Sequence, residues 1–383
     1  MLALDDFEEA ARRYIPRPIF GYVAGGVETN ATLRANREVW DAIAFVPRTL
    51  VDVAGRTQQT TLFGRSYDAP FGLAPMGGTA MAAYQGDLVL ARAAAAANVP
   101  MILSGASLTT LERVRKEGTT AWFQAYLPGE AGPITQLLDR AARAGYDTLC
   151  VTVDVPVIGN RENNVRSGFR TPLRPTLRLA WDGIVRPRWL FGMFLRTLLL
   201  HGMPHFENFG PRVPLVSRTA ERERGGRDRL AWRHVELIRR LWTGRLVLKG
   251  ILDREDARVA RESGVDGVIV SNHGGRQLDG AVAPLRVLPA IAAAAGGMTV
   301  MMDSGIRRGT DVLKALALGA QFVFVGRPFL YAAAIAGEPG VRHAIALLRG
   351  EIDSDMALLG INTLTEMRRE RLVPARGSDF LNA

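Results

Sequence analysis

The chain has 383 residues, 48% of them hydrophobic, enough for one large core or two modest ones. A single cysteine, Cys150, excludes an intrachain disulfide framework, and no apolar run reaches the roughly 18 residues that span a bilayer. The formal charge of +10 comes almost wholly from arginine, since the only lysines are Lys116, Lys249 and Lys314; the basic residues are too dispersed for a nucleic-acid face.

The N-terminus, MLALDDFEEAARRY, carries acids where a secretory signal needs a basic region and a long apolar run, so no signal is expected. Residues 1–65 are expected to form helices that cap the rest of the domain. Short β-branched runs then recur, each ending in small or polar residues. In chain order they are APFGLAP (69–75), VPMILSG (99–105), TAWFQAY (120–126), DTLCVTVD (147–154), RLVLKG (245–250), DGVIVSNHG (266–274), MTVMMDSG (298–305) and AQFVFVGRP (320–328). Segments with helical spacing lie between them, such as GDLVLARAAAAANV and GTDVLKALALGA, and several stop at a glycine.

Eight strands alternating with helices predict an α/β fold of the (β/α)8 TIM-barrel type over 66–350, with a C-terminal segment, 351–383, in the same domain. A doubly wound open sheet is the alternative, weakened by the lack of an early G-x-G-x-x-G. About ninety residues separate the fourth and fifth runs, several times the usual barrel repeat. Residues 160–230 are therefore read as an insertion after strand four, on the face where barrels keep their chemistry.

The strand ends carry a polar series that a purely structural barrel would not need. His273 and Arg276 follow strand six in SNHGGRQLDG; a lone histidine is usually a satisfied core residue, but Asp154 falls at the same barrel mouth. Together they read as a base, its orienting carboxylate and an anion clamp, with Arg161 as a second clamp. Lys249, at the end of an apolar strand, would set a positive charge where negative charge develops. Lys314 is expected on a helix at the surface. Asp303, Gly305 and Arg307 after strand seven, with Gly326 and Arg327 after strand eight, occupy the common phosphate position of barrels. Ser104, Gln124 and Thr152 suit the edge of a neutral heteroaromatic ring or ordinary strand-end bonding, and sequence does not separate these. Cys150, inside an apolar run, reads as core.

These motifs, in this order, resemble those of the FMN-dependent L-2-hydroxy-acid-oxidising family, from about Phe7 to about residue 365. The resemblance implies FMN as cofactor, a small 2-hydroxy acid as substrate and a homotetramer. It makes His273 the base, paired with Asp154, and places the substrate carboxylate on Arg161 and Arg276. It places substrate tyrosines at Tyr22 (in GYVAGG) and Tyr126. Flavin contacts fall on Pro75, Met76, Gly77, Ser104, Gln124, Thr152, Lys249 and Ser271, and phosphate and ribityl contacts on Asp303, Gly305, Arg307, Gly326 and Arg327. Where glycolate-oxidising members carry a tryptophan, this chain has Ala106. With Gly77, that enlarges the substrate pocket, so mandelate-like or lactate-like acids are expected.

Residues 166–200 hold seven arginines and one acid, Asp182, around the apolar run RWLFGMFLRTLLLHGMPHF. Such a segment can lie in a membrane interface or fold back over the barrel mouth. It resembles the membrane-binding segment of the family's membrane-bound dehydrogenases. That implies a membrane surface contacted through 166–209, a quinone acceptor, and a place on the cytoplasmic side of a bacterial inner membrane. A soluble oxidase that makes hydrogen peroxide is the near alternative. A phosphate-binding barrel that isomerises a metabolite or modifies a precursor is the distant one.

Overall fold

In the computed structural model, which describes residues 1–208, 210–220 and 225–375, the eight apolar runs form eight parallel strands closed into a barrel. They are β1 (Phe71–Leu73), β2 (Met101–Ser104), β3 (Ala121–Ala125), β4 (Thr148–Thr152), β5 (Arg245–Ile251), β6 (Gly267–Val270), β7 (Thr299–Met302) and β8 (Phe322–Val325). Closure is direct: Val323, Phe324 and Val325 of β8 pair with Phe71, Gly72 and Leu73 of β1. The strands are apolar throughout because both faces are covered. Ile102, Trp122, Cys150, Val247, Ile269 and Met301 fill the barrel interior, while alternate residues pack outward on the helices.

Three helices precede the barrel: α1 (Asp6–Tyr14), α2 (Arg17–Ala24) and α3 (Ala31–Glu38). Helices α4 (Gly86–Ala96), α5 (Leu111–Glu117) and α6 (Ala131–Arg143) follow the first three strands. The insertion carries α7 (Leu177–Ile184), a π-helical stretch (Leu190–Leu195) and α8 (Arg196–His201). Helices α9 (Trp232–Leu241), α10 (Arg254–Glu262), α11 (Pro284–Ala294), α12 (Gly309–Ala317) and α13 (Arg327–Leu359) complete the ring.

The first 65 residues are not only helical, as the sequence led us to expect. Ile43–Phe45 pairs with Leu372–Pro374, and Thr60–Leu62 with Arg65–Tyr67 forms a hairpin. Leu62, Phe63 and Tyr67 of that hairpin pack into the barrel interior beside Trp122 and Phe322, so it plugs the N-terminal end. Lys314 is a second correction. It lies on α12, but its ammonium donates to the Trp40 carbonyl (2.8 Å) and sits over the Phe45 ring, tying the N-terminal segment down instead of facing water.

The insertion folds against the catalytic face and also presents an outer apolar surface. Trp189 is buried, stacks on Phe194 and donates its indole N–H to the Met81 carbonyl (3.0 Å). Asn208 accepts from Leu111 N and donates to Thr109 O, fixing the end of the excursion to the loop after β2. Leu177, Trp181 and Ile184, at spacings of four and three on α7, form an exposed stripe, and Phe191, Leu199 and Leu200 are exposed too. Phe209, the last residue of the expected membrane-facing stretch, lies outside the described residues, as do 221–224 and 376–383 of the expected insertion and C-terminal segment.

Candidate active site

The loop after β6 is built for close approach. His273, Gly274 and Gly275 all have left-handed φ (59°, 66° and 72°), a conformation glycine adopts freely and histidine holds at a cost of order 1 kcal/mol. A Cβ on Gly275 would lie 2.7 Å from Leu33 N, so the glycine lets the loop rest on α3. His273 N donates to Ser271 Oγ (3.0 Å), which also accepts from Lys249 Nζ (2.7 Å).

Asp154 stands behind the imidazole, with Oδ1 3.0 Å and Oδ2 3.3 Å from His273 Nδ1. A carboxylate only accepts, so Nδ1 carries the hydrogen and Nε2 is left as the acceptor. Gly250 (φ 110°) makes the approach possible, because a Cβ there would lie 2.5 Å from Asp154 Cβ. The register of β5 slips at this point, between Lys249 and Ile251. Burial pushes the His273 pKa below its ordinary 6.5, against the pull of Asp154. Burial opposes the charge on Asp154, but the hydrogen-bonded imidazole and Lys249 outweigh it, holding the carboxyl below its usual range. A neutral imidazole on an ionised carboxylate is a base with its orientation and its incipient charge both provided for.

Lys249 is 4% exposed and forms an ion pair with Asp303 (Nζ–Oδ2 2.8 Å). Burial works against its charge, but Asp303 and Asp154 overcome it and raise its pKa. Ser104 Oγ donates to Gln124 Oε1 (3.1 Å), and Gln124 Nε2 to Thr152 Oγ1 (2.8 Å), a chain across β2, β3 and β4. Thr152 faces the cleft, whereas Ser104, Gln124 and Ser271 lie just behind it.

Arg276 and Arg327 do work that the sequence did not reveal. Arg276 Nη1 donates to the carbonyls of Tyr22 (2.6 Å) and Gly25 (2.7 Å), and Arg327 Nε to that of Val23 (2.9 Å). Two guanidiniums thus receive the C-terminal carbonyls of α2, where the helix dipole favours cations. That fixes Tyr22, whose ring lies between Phe169 (centroids 4.3 Å apart) and Arg276 (4.9 Å). Tyr126 lies near His273 on one side and under Arg227 (4.4 Å) on the other. Burial, with Tyr22 and Asp154, raises its pKa and keeps the hydroxyl protonated. Arg161 donates from Nε to Arg276 O (3.1 Å) and from Nη2 to Gln277 Oε1 (2.8 Å). Arg161 Nη1 and Arg276 Nη2 have no hydrogen-bond partner among the described residues. Phe169 and Arg227, at the two shoulders of the insertion, were missed: Phe169 falls in the stretch that reads as membrane-facing, and Arg227 in an arginine-rich run that carries no site motif.

Tyr22, Tyr126, Thr152, Arg161, Lys249, His273, Arg276 and Arg327 meet in one cleft, open at its mouth. Pro75, Met76, Gly77 and Ala106 line one wall. A Cβ on Gly77 would come within 3.0 Å of Ala106 Cβ and 3.4 Å of the Tyr22 hydroxyl, so both small residues leave space. Gly305, Arg307, Gly326 and Arg327 line the opposite end. Arg307 is held by Asp5 (Nε–Oδ1 3.3 Å).

The cleft has an excess of buried positive charge. Arg161, Lys249, Arg276, Arg307 and Arg327 line it, and Asp303 is the one carboxylate among its lining residues. Burial, then Arg161, pulls the Arg276 pKa down to about 9, and burial lowers those of Arg307 and Arg327. Asp303 pairs with Lys249 and Asp5 with Arg307, which leaves Arg161, Arg276 and Arg327 without a carboxylate partner among the described residues, so the site fits bound anions. A phosphate at the Arg307–Arg327 end and a carboxylate between Arg161 and Arg276 would provide them, with a ring along Thr152 and Lys249. These residues fit FMN.

Such a fold and site define a flavin-dependent barrel oxidoreductase. Residues 11–374 match the family of FMN-dependent dehydrogenases. An L-lactate dehydrogenase of Caulobacter sp. (strain K31) is 41% identical over 376 residues, covering 96% of this chain and 97% of that protein. An L-lactate dehydrogenase of Pseudomonas entomophila (strain L48) is 38% identical, covering 98% and 99%. The crystal structure of the monotopic membrane protein (S)-mandelate dehydrogenase superposes with a TM-score of 0.91 at 35% identity, over 98% of this chain and 100% of that one. Mandelate oxidase with (S)-2-phenylpropionate gives 0.81 at 36%, over 98% of both. The chain belongs to the FMN-dependent dehydrogenase family, and the resemblance seen in its sequence is borne out. It is an FMN-dependent enzyme with a (β/α)8 barrel.

Proposed function

We propose that the enzyme oxidises an L-2-hydroxy acid, lactate-like or mandelate-like, to the 2-keto acid and passes the electrons to a membrane quinone. The observation that carries this reading is the His273–Asp154 pair, opening onto the same cleft as Arg161 and Arg276. Arg161 Nη1 and Arg276 Nη2 receive the carboxylate, which sets the α-carbon against His273. Nε2 takes a proton from the substrate, and Asp154 stabilises the imidazolium that results. Tyr22 and Tyr126 offer hydroxyls to the substrate oxygen. FMN, when bound, supplies a two-electron acceptor, and Lys249 sets a positive charge beside it. Pro75, Met76, Gly77, Thr152, Gly305, Arg307, Gly326 and Arg327 would hold the cofactor, with Ser104, Gln124 and Ser271 as support.

The exposed apolar stripe of the insertion, flanked by exposed Arg174, Arg178 and Arg188, supports a peripheral place on a membrane. Among the described residues no helix is long and apolar enough to cross one. The cytoplasmic face of the inner membrane and a homotetramer complete the reading. The relatives' names, lactate and mandelate dehydrogenase, support this substrate class.

The test is a visible spectrum of the purified protein without oxygen, before and after L-lactate and then L-mandelate. A yellow protein that bleaches with one of them supports the reaction. A colourless protein that takes up no FMN overturns it.

A further inference from the structure

The cleft continues outward into a second, solvent-open chamber. The two share Tyr22, Ala106, Tyr126, Arg161 and His273, so the chamber begins where the chemistry ends. Its outer wall comes from Met81, Val155, Ile158, Phe169 and Phe206, with two neutral polar side chains, Asn164 and Thr171. Arg227 covers it from above the Tyr126 ring. The wall is joined to the insertion's outer surface, because the Met81 carbonyl takes the Trp189 indole N–H, and exposed Phe191 comes two residues later.

We propose that this chamber docks the ring of a lipid-soluble quinone, and that the hydroxy acid's side chain uses the same space, so the two substrates occupy it in turn. The inference rests on the quinone reading given above. Three observations carry it. The free arginine nitrogens that suit a carboxylate lie on the inner side, at Arg161 and Arg276, and beyond them the wall is mainly apolar, with Arg227 laid on the Tyr126 ring, a surface that suits an aromatic group. A methyl group would leave most of that space empty, whereas a flat ring makes contact with Met81, Ile158 and Phe206. The polar groups that remain, the Tyr22 and Tyr126 hydroxyls and His273, stand at the inner end, where a quinone oxygen would arrive. The reaction balances: the hydroxy acid loses two electrons with its C–H and O–H protons, and the quinone gains two electrons and two protons to become a quinol. His273 returns to it the proton it took, and bound FMN would supply the two electrons and the second proton.

The experiment uses holoenzyme with the hydroxy acid that bleaches it, and either a short-chain benzoquinone or ferricyanide as acceptor. Ile158→Asp, at a position 41% exposed, puts a charge against the ring. We expect the quinone KM to rise about tenfold or more, as a charge facing an apolar ring costs at least that factor. With the hydroxy acid held saturating, because its side chain shares the chamber, the acceptor KM should change far less with ferricyanide, which needs no apolar site. In the unaltered enzyme, phenylacetate should compete with the quinone more strongly than oxalate does, since oxalate overlaps only the inner end and leaves the apolar wall free. Equal losses with both acceptors, or equal competition by both acids, would place the quinone elsewhere. An unaltered enzyme that reduces ferricyanide but no benzoquinone would overturn the acceptor reading itself, and this proposal with it.

Discussion

A histidine accepts a proton only while it is neutral, and burial keeps His273 so well below pH 7. The rate with limiting substrate should therefore fall on the acid side with an apparent pKa under 6.5, because the base is lost as pH drops through its lowered value. Asp154 pulls that pKa upward, so Asp154→Asn should move the acid limb to still lower pH while slowing turnover. A pH–rate series on both proteins checks the sign; a limb that moves up would remove Asp154 as the partner. His273→Ala should lower kcat by about 10²–10⁴-fold, the usual worth of a positioned base, with the visible flavin band retained. This pair was legible in the sequence because barrel chemistry sits at strand ends, and both residues end apolar strands. Gly250 was not, since its role depends on how near Asp154 comes, and that distance is set by two strands far apart in sequence.

At the scale of elements, the loop after β6 does more than present His273. Asp279 accepts from Thr29 N (3.0 Å) and Thr32 N (2.9 Å), capping the start of α3 from outside the helix. Although desolvation opposes its charge, the Thr29 and Thr32 donors pull the carboxyl down to about 2. A lowered folded pKa stabilises above the unfolded value of 3.8 and stops stabilising as pH falls through about 2. Asp279→Asn should thus cost about 1 kcal/mol at neutral pH, the scale of a lost cap, and the gap in melting temperature should narrow below pH 3.8. A gap that persists into acid would mean that shape, not charge, is what Asp279 supplies. The barrel strands and helices were legible from their periods of two and 3.6. The Thr60–Tyr67 hairpin was not, because its two three-residue strands carry too little alternation, and its apolar residues are explained only by the barrel end they fill. Lys314 misled for a similar reason: its partner is a carbonyl 274 residues away.

For the whole molecule, the insertion has two faces, and composition alone could not divide them. Phe169, Trp189 and Phe206 turn inward to the site, while Trp181, Phe191 and Leu199 are 63%, 65% and 84% exposed. Burying a large apolar side chain is worth about 1.5–3 kcal/mol, so three together give about 4.5–9 kcal/mol, against about 4 for Arg170, Arg174, Arg178 and Arg188 at roughly 1 kcal/mol each near an anionic surface. Membrane attachment should then be mainly apolar. With anionic phospholipid vesicles, the protein should sediment with the lipid and stay there in 1 M salt, which screens the arginine contribution. Replacing Trp181, Phe191 and Leu199 together by serine should weaken partitioning by at least about 3 kcal/mol, over a hundredfold, and release the protein to the supernatant. These side chains make little contact with the rest of the fold, so flavin content and bleaching by the hydroxy acid should survive in the released protein. Release of the unaltered protein by salt alone would make the attachment electrostatic and assign it to Arg170, Arg174, Arg178 and Arg188 instead.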